Sequence, residues 1–183
     1  MYDIKNFVKM AAGLIARPQA QLGKTLENHY LVECFGEDGK LKWVDEFDNI
    51  VVDVGLNDSL DKHLKGSGYT AAWYVGLTNT APTVNAADTM ASHAGWVENQ
   101  TYTEGVRQTL TLGAVSGKSV DNSASKAVFS INGSTTIGGC FVTTISTKGG
   151  TTGTLYGAGA FTGGDRAAVN GDTLNVTVTC TAA

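Results

Sequence analysis

His29, His63 and His93 are the only imidazoles in the chain, and each lies on a segment of a different kind. A metal site usually draws two of its ligands from short spacing, such as i and i+4 on a helix, and none of these has such a partner. His63 stands beside Asp61 and Lys62 and reads as a solvated residue. Ser92-His93 lacks the Gly-x-Ser-x-Gly setting that exposes a hydrolase nucleophile. Carboxylates gather at Glu37-Asp38, at Asp45-Glu46-Asp48 and at Asp53, Asp58 and Asp61. Glycoside hydrolysis needs two carboxylates facing each other with one desolvated. Here Lys40, Lys42, Lys62 and Lys65 are interleaved, so turns and exposed faces are expected. Asp165, Asn170 and Asp172 offer oxygen ligands for calcium, but not at the spacing of a regular binding loop.

Gly113-Ala-Val-Ser-Gly-Lys-Ser119 approaches a phosphate-cradling loop. Three residues rather than four separate its first glycine from Gly-Lys. The turn-like Val120-Asp-Asn-Ser-Ala-Ser125 follows where a helix N-terminus would hold the phosphate. Cys34, Cys140 and Cys180 are odd in number and form no CxxC pair, so free buried thiols are expected. The expectation is a chain without catalytic residue, cofactor or metal, not an enzyme. A carbohydrate hydrolase built on a β-sandwich is the weaker enzymatic reading.

A net charge of −4 supplies no basic face for nucleic acid or an anionic membrane. No apolar run approaches the roughly 18 residues of a membrane span. Met10-Ala-Ala-Gly-Leu-Ile-Ala16 is short, and Asp3 stands where an export signal would be basic. Charge is unevenly spread. Residues 1–65 hold 19 of the 30 charged side chains; residues 66–183 hold 11, with 18 of the 23 glycines and 22 threonines. That composition suits short strands on tight turns, and a surface that meets other proteins.

The elements follow from periodicity. Residues 3–16 carry a helical stripe of Ile4, Phe7, Val8, Ala11, Leu14 and Ile15, which Pro18 ends. It fits either a helix packed on its own domain or an arm laid on a neighbouring subunit. Residues 28–35 and 41–47 flank Gly36-Glu-Asp-Gly-Lys40 as a hairpin. An amphipathic helix is expected near 55–65, with Val52, Leu56, Leu60 and Leu64 as its stripe, Asn57 or Asp53 as cap and Gly66 as stop. From residue 69 the period falls to two. Strands are expected at 73–77, 107–115, 126–131, 137–145 and 153–161, with one helical turn around 86–91. In the last strand Leu174, Val176, Val178 and Cys180 alternate with Thr173, Asn175, Thr177 and Thr179. One apolar and one polar face mark a half-buried antiparallel strand. The fold class is therefore mainly β, an antiparallel β-sandwich or jelly-roll-like module over 26–183, with 1–25 as a helical arm. Trp43, Trp73 and Tyr74 read as core, whereas Trp96-Val-Glu-Asn-Gln-Thr-Tyr102 looks exposed and ready to meet a partner.

Several strings, taken together, resemble a family of tailed-bacteriophage virion proteins. They are Trp73-Tyr-Val-Gly-Leu77, Ala86-Ala-Asp-Thr-Met-Ala-Ser-His-Ala-Gly-Trp96, Tyr102, Arg107, Asn122-Ser-Ala-Ser-Lys126, Thr136-Ile-Gly-Gly139, Thr147-Lys-Gly-Gly-Thr151 and Gly163-Gly-Asp165. The resemblance covers roughly 28–182 and carries no chemistry. It implies a capsid decoration or cement protein, made in the host cytoplasm and bound to the outer face of the head shell. The implied partners are the major capsid protein and further copies of the chain, as dimers or trimers at symmetry axes. Ile4, Phe7, Val8, Leu14, Ile15, Trp96 and Tyr102 are the expected contact residues, within residues 1–20 and loops 79–105 and 146–152. The alternative is a receptor- or glycan-binding head-fibre or tail-tip module, with Trp96 stacking on a sugar.

Overall fold

The hairpin, the strand-rich remainder and the long final strand all form. The computed structural model of the chain describes residues 26–69 and 72–182. The expected helix at 3–16, with Ile4, Phe7, Val8, Leu14 and Ile15, lies outside the described residues. β1 (Leu26–Phe35) and β2 (Leu41–Asp48) make the hairpin, and β1 then pairs along its whole length with β13 (Thr173–Ala182). The far edge of β13 is shared by two short strands. β8 (Ala127–Ser130) takes Thr173 to Val176, and β7 (Ser119–Asp121) takes Thr179 to Thr181. Asn122 fills the gap between them. Its amide donates to the Val176 carbonyl at 3.2 Å, and its oxygen accepts from the Val178 amide at 2.7 Å. One side chain thus stands in for a missing strand residue and leaves no orphaned backbone group there.

The second sheet runs β3 (Ile50–Val51), β11 (Leu155–Ala160), β10 (Gly139–Thr143), β4 (Tyr74–Thr78), with β5 (Glu98–Asn99) and β6 (Gln108–Thr109) sharing the outer edge of β4. All pairings are antiparallel, as they are in the small ribbon of β9 (Thr135–Ile137) and β12 (Arg166–Ala168). The two large sheets pack face to face as a β-sandwich. Tyr30, Val32 and Cys34 of β1 and Leu174, Val176 and Val178 of β13 share one core with Val75 and Leu77 of β4 and Cys140 and Val142 of β10. Each such fully buried aliphatic side chain is worth roughly 1.5–3 kcal/mol relative to exposure.

Every residue of β10 is buried, because its other face is covered too. Phe141 points away from the sandwich core into a second cluster with Val52, Met90, Trp96, Leu155 and Ala158. Its ring lies against Gly76: a Cβ there would stand 2.2 Å from the Phe141 ring. No larger residue fits at that point of β4.

The helix α1 (Asp53–His63) forms close to the expected place, but with a different cap and a different inner face. Val52 is its N-cap with no side-chain hydrogen bond, and Gly66 follows its end at φ +75°. Among its own residues only Gly55 is buried, because a Cβ at Gly55 would stand 2.5 Å from the Tyr156 carbonyl oxygen. The helix thus rests backbone to backbone on β11, with Ser59 and Lys62 half-buried on its inner side. The leucine stripe turns outward: Leu56, Leu60 and Leu64 are 38, 56 and 76 % exposed.

Two further expectations are corrected. Of 107–115 only Gln108–Thr109 joins a sheet; past Leu110 the chain leaves β4, and Gly113 donates to the Asp121 carbonyl instead. Around 86–91 there are turns and no helix, since the Asp88 carboxylate accepts from the Asn85 amide and closes a local turn.

Candidate interaction surface

The chain between β4 and β6 and the loop between β10 and β11 are polar and rich in turns, yet they are fastened to each other through the interior. Glu98 sits on β5, held by the β4 edge, and Arg107 immediately precedes β6 on the same edge. Their side chains meet as a fork. Arg107 Nε donates to Glu98 Oε1 and Nη2 to Oε2, both at 2.8 Å, with the guanidinium 1 % exposed. Further bonds come from the second loop. Nη1 donates to the Ile145 carbonyl at 3.0 Å, Nη2 to the Gly150 carbonyl at 2.8 Å, and the Gly149 amide donates to Glu98 Oε2 at 2.8 Å. The guanidinium carbon also lies 5.1 Å from the centre of the Phe141 ring. A charge pair out of water is tolerated only when paired and hydrogen-bonded to this degree.

Lys148 makes a second fastening. Its ammonium donates to the carbonyls of Tyr102 at 2.9 Å and Glu104 at 2.8 Å, with Gln100 at 3.3 Å, and lies 4.0 Å from the centre of the Tyr102 ring. Backbone bonds complete the seam: Arg107 donates to the Ser146 carbonyl, and Val106 bridges to Thr147. The result is a fixed rim on which Val97 and Val106 stand 63 and 50 % exposed. Such a rim can bind through shape and apolar contact without first ordering its loops.

The expected exposure of Trp96 and Tyr102 is corrected, since they are 4 and 1 % exposed. Trp96 packs on Phe141 with ring centres 4.9 Å apart, His93 stacks on its other side, and its indole donates to Asp88 at 3.2 Å. It is a lid over the outer face of the second sheet. Tyr102 meets Phe129 edge-on in the sandwich core, and burial, with Glu98 nearby, pushes its phenol well above the usual value. Both rings are held by the β5 pairing, which draws this segment onto β4.

The remaining chemistry-bearing residues are dispersed. Asp45, expected on an exposed face, is buried and accepts from Arg166 and from the amides of Thr162 and Gly163. Asp172 is buried against Lys42 at 2.6 Å, while Asp165 accepts from the Ala81 amide, so the three oxygen donors considered for calcium do not converge. Among the described residues no group of three His, Cys, Asp or Glu side chains is placed to hold a metal. Cys34 and Cys140 are buried and Cys180 half-buried, all as free thiols. Burial pushes Cys34 and Cys180 up to about 11 and Cys140 higher, which keeps them protonated near neutrality. Among the described residues no helix is long and apolar enough to cross a membrane.

The Glu98–Arg107 pair was not read as a pair from the sequence. The available signal was scarcity: two opposite charges nine residues apart in a region almost without charge. No protein-family model matches the chain, and no match is found among curated proteins.

Proposed function

We propose that this chain is a structural protein of a tailed-bacteriophage particle, a decoration or cement protein that binds the outer face of the head shell and bridges neighbouring capsid subunits. The observation that carries the reading is the locked rim. Trp96, Tyr102, Arg107 and the Thr147-Lys-Gly-Gly-Thr151 string belong to the resemblance to phage virion proteins, and they converge on one buried node. What the node displays is a hydrogen-bonded edge with Val97 and Val106 outward. A cement protein must meet many identical partners in one geometry, and preorganised loops lower the entropic cost of each contact. The partners in this reading are the major capsid protein and further copies of this chain, as a dimer or trimer about a lattice axis. The glycan-binding alternative relied on Trp96 as a stacking platform, and that ring is covered by His93 and Phe141.

Co-sedimentation with expanded phage heads tests the proposal. The wild-type chain should pellet saturably with the shells. Val97→Asp combined with Val106→Asp should weaken that binding at least about tenfold while leaving the thermal midpoint within about 2 °C, since exposed substitutions seldom change stability much. Undiminished binding by the double variant would overturn the assignment of the rim as the contact.

A further inference from the structure

The inner face of β1 carries one residue that an apolar core does not call for. Tyr30, Val32 and Cys34 are buried in the sandwich, and Asn28 continues that series at 1 % exposure. Its backbone is held: Asn28 faces Cys180 of β13 in the ladder, and its carbonyl accepts from the Asn49 amide at 3.0 Å. Its side chain is not, since neither Nδ2 nor Oδ1 has a hydrogen-bond partner among the described residues. Asn49 does not answer it; its own side-chain nitrogen turns to the Tyr30 hydroxyl at 3.3 Å. A buried amide unpaired at both ends destabilises a fold, and an apolar side chain of the same shape would not.

The amide lies on a groove rather than in solid core. At one end of the sandwich, Leu26, Val120, Cys180 and Ala182 of the first sheet and Tyr156 of the second line an apolar groove of about 340 Å³, and Asn28 lines it with them. The walls are fixed. β1 and β7 are both paired to β13 here, and the Ala182 amide donates to the Lys118 carbonyl at 3.0 Å, which ties the turn between Ser116 and Ser119 to the strand end. A preformed groove of this size, apolar and with few placed polar groups, is the usual form of a small-molecule site. Glu27 and Lys118 also line it, exposed and of opposite charge, so its edge favours neither sign.

We propose that this groove binds a small neutral molecule with an apolar body and a single carboxamide group, and that Asn28 is the residue that recognises the group. The amide of Asn28 offers a donor and an acceptor side by side. A carboxamide returns an acceptor and a donor in one cyclic pair and satisfies both atoms. A carboxylate returns acceptors only, so Oδ1 would stay unpaired, and its charge would also give up water against apolar walls. The body of the ligand covers Leu26, Val120 and Tyr156, which is where the apolar surface lies. A site built around a buried polar group discriminates sharply, because an analogue that fails to pair with it leaves that group unsatisfied. The cost of Asn28 to the empty fold is the counterpart of that selectivity.

Titration of the isotope-labelled full chain with hexanamide, followed by NMR, tests the proposal. Hexanamide should bind saturably at millimolar concentration and shift the side-chain amide signals of Asn28 with the backbone amides of Val120, Tyr156 and Cys180. Hexanoate at pH 7 should bind at least about tenfold more weakly. Asn28→Leu should abolish that preference and raise the thermal midpoint by at least about 2 °C, since it removes an unpaired buried amide. Ala182→Phe, at the half-buried end of β13, should block the groove and end binding while signals elsewhere stay in place. No saturable shift with hexanamide, equal affinity for hexanoate, or shifts that survive Ala182→Phe would overturn it. So would a lowered midpoint in Asn28→Leu, which would show that the amide is answered within the fold. None of these readouts involves Val97 or Val106, so this proposal and the capsid assignment fail separately.

Discussion

Residues 26–65 and residues 66–182 handle charge in opposite ways. In the first region ionised groups are numerous and mostly stand in water, paired loosely: Lys40 with Asp38 and Lys65 with Asp61. In the second they are few, and those that matter most are inside: Glu98 at 9 % and Arg107 at 1 % exposure, with Asp88 and Asp172 also buried. Asp45 is the exception in the first region, and it is buried because Arg166 of the second reaches it. A charge in water adds solubility, whereas a charge removed from water must be answered by fixed partners. The charge-poor region is therefore where single ionic residues decide the shape of loops.

The sharpest way to break this contrast is to remove Arg107. Arg107→Ala leaves Glu98 buried with only the Gly149 amide, and should cost about 3–5 kcal/mol, read from denaturant unfolding. Arg107→Met combined with Glu98→Gln should cost less than Arg107→Ala alone, because no unpaired charge is then left inside. Equal losses would mean that the node's worth lies in packing on Phe141 rather than in its charges. Next in size is Lys148→Ala, which strips three carbonyls of a charged donor and should cost about 1–3 kcal/mol. Amide exchange in 100–105 and 146–150 should rise with it, while β1 and β13 stay protected. A loss confined to global stability, with no local change, would show that Lys148 is not the clasp of this rim.

How much of this was legible in the sequence depends on the range of the interaction. The alternation of Leu174, Val176 and Val178 names the inner face of β13, and the structure buries all three. Gly36-Glu-Asp-Gly-Lys40 likewise gave the hairpin, since a turn is a local matter. The four-residue repeat of Leu56, Leu60 and Leu64 correctly indicated a helix but the wrong inner face. Periodicity reports that an apolar ridge exists, and only the partner decides what covers it; here Gly55 allows a closer seat on β11 than any leucine could. Trp96 and Tyr102 looked exposed because their neighbours are polar, yet Phe141 and Phe129, which bury them, lie some 45 and 27 residues away in sequence. The Glu98–Arg107 fork depends on β4 holding two short edge strands end to end, which no local pattern announces.

The smallest effect belongs to the exposed pair at the end of α1. Lys65 lies 3.1 Å from Asp61 in i,i+4 geometry, and both side chains are in water. The Asp61 carboxyl is held below its usual value, first by the Ser67 hydroxyl and then by Lys65. A carboxylate depressed in the folded state stabilises above its unfolded value of 3.8 and ceases to do so as the pH falls below it. Lys65→Ala should therefore move the thermal midpoint by no more than about 1 °C at pH 7, and by progressively less as the pH falls through the depressed value at which Asp61 loses its charge. Arg107→Ala measured beside it at pH 7 should lower the midpoint at least several-fold more. If the two variants lost similar amounts, burial would not be what separates the two regions, and the rim would be as loosely held as the surface of α1.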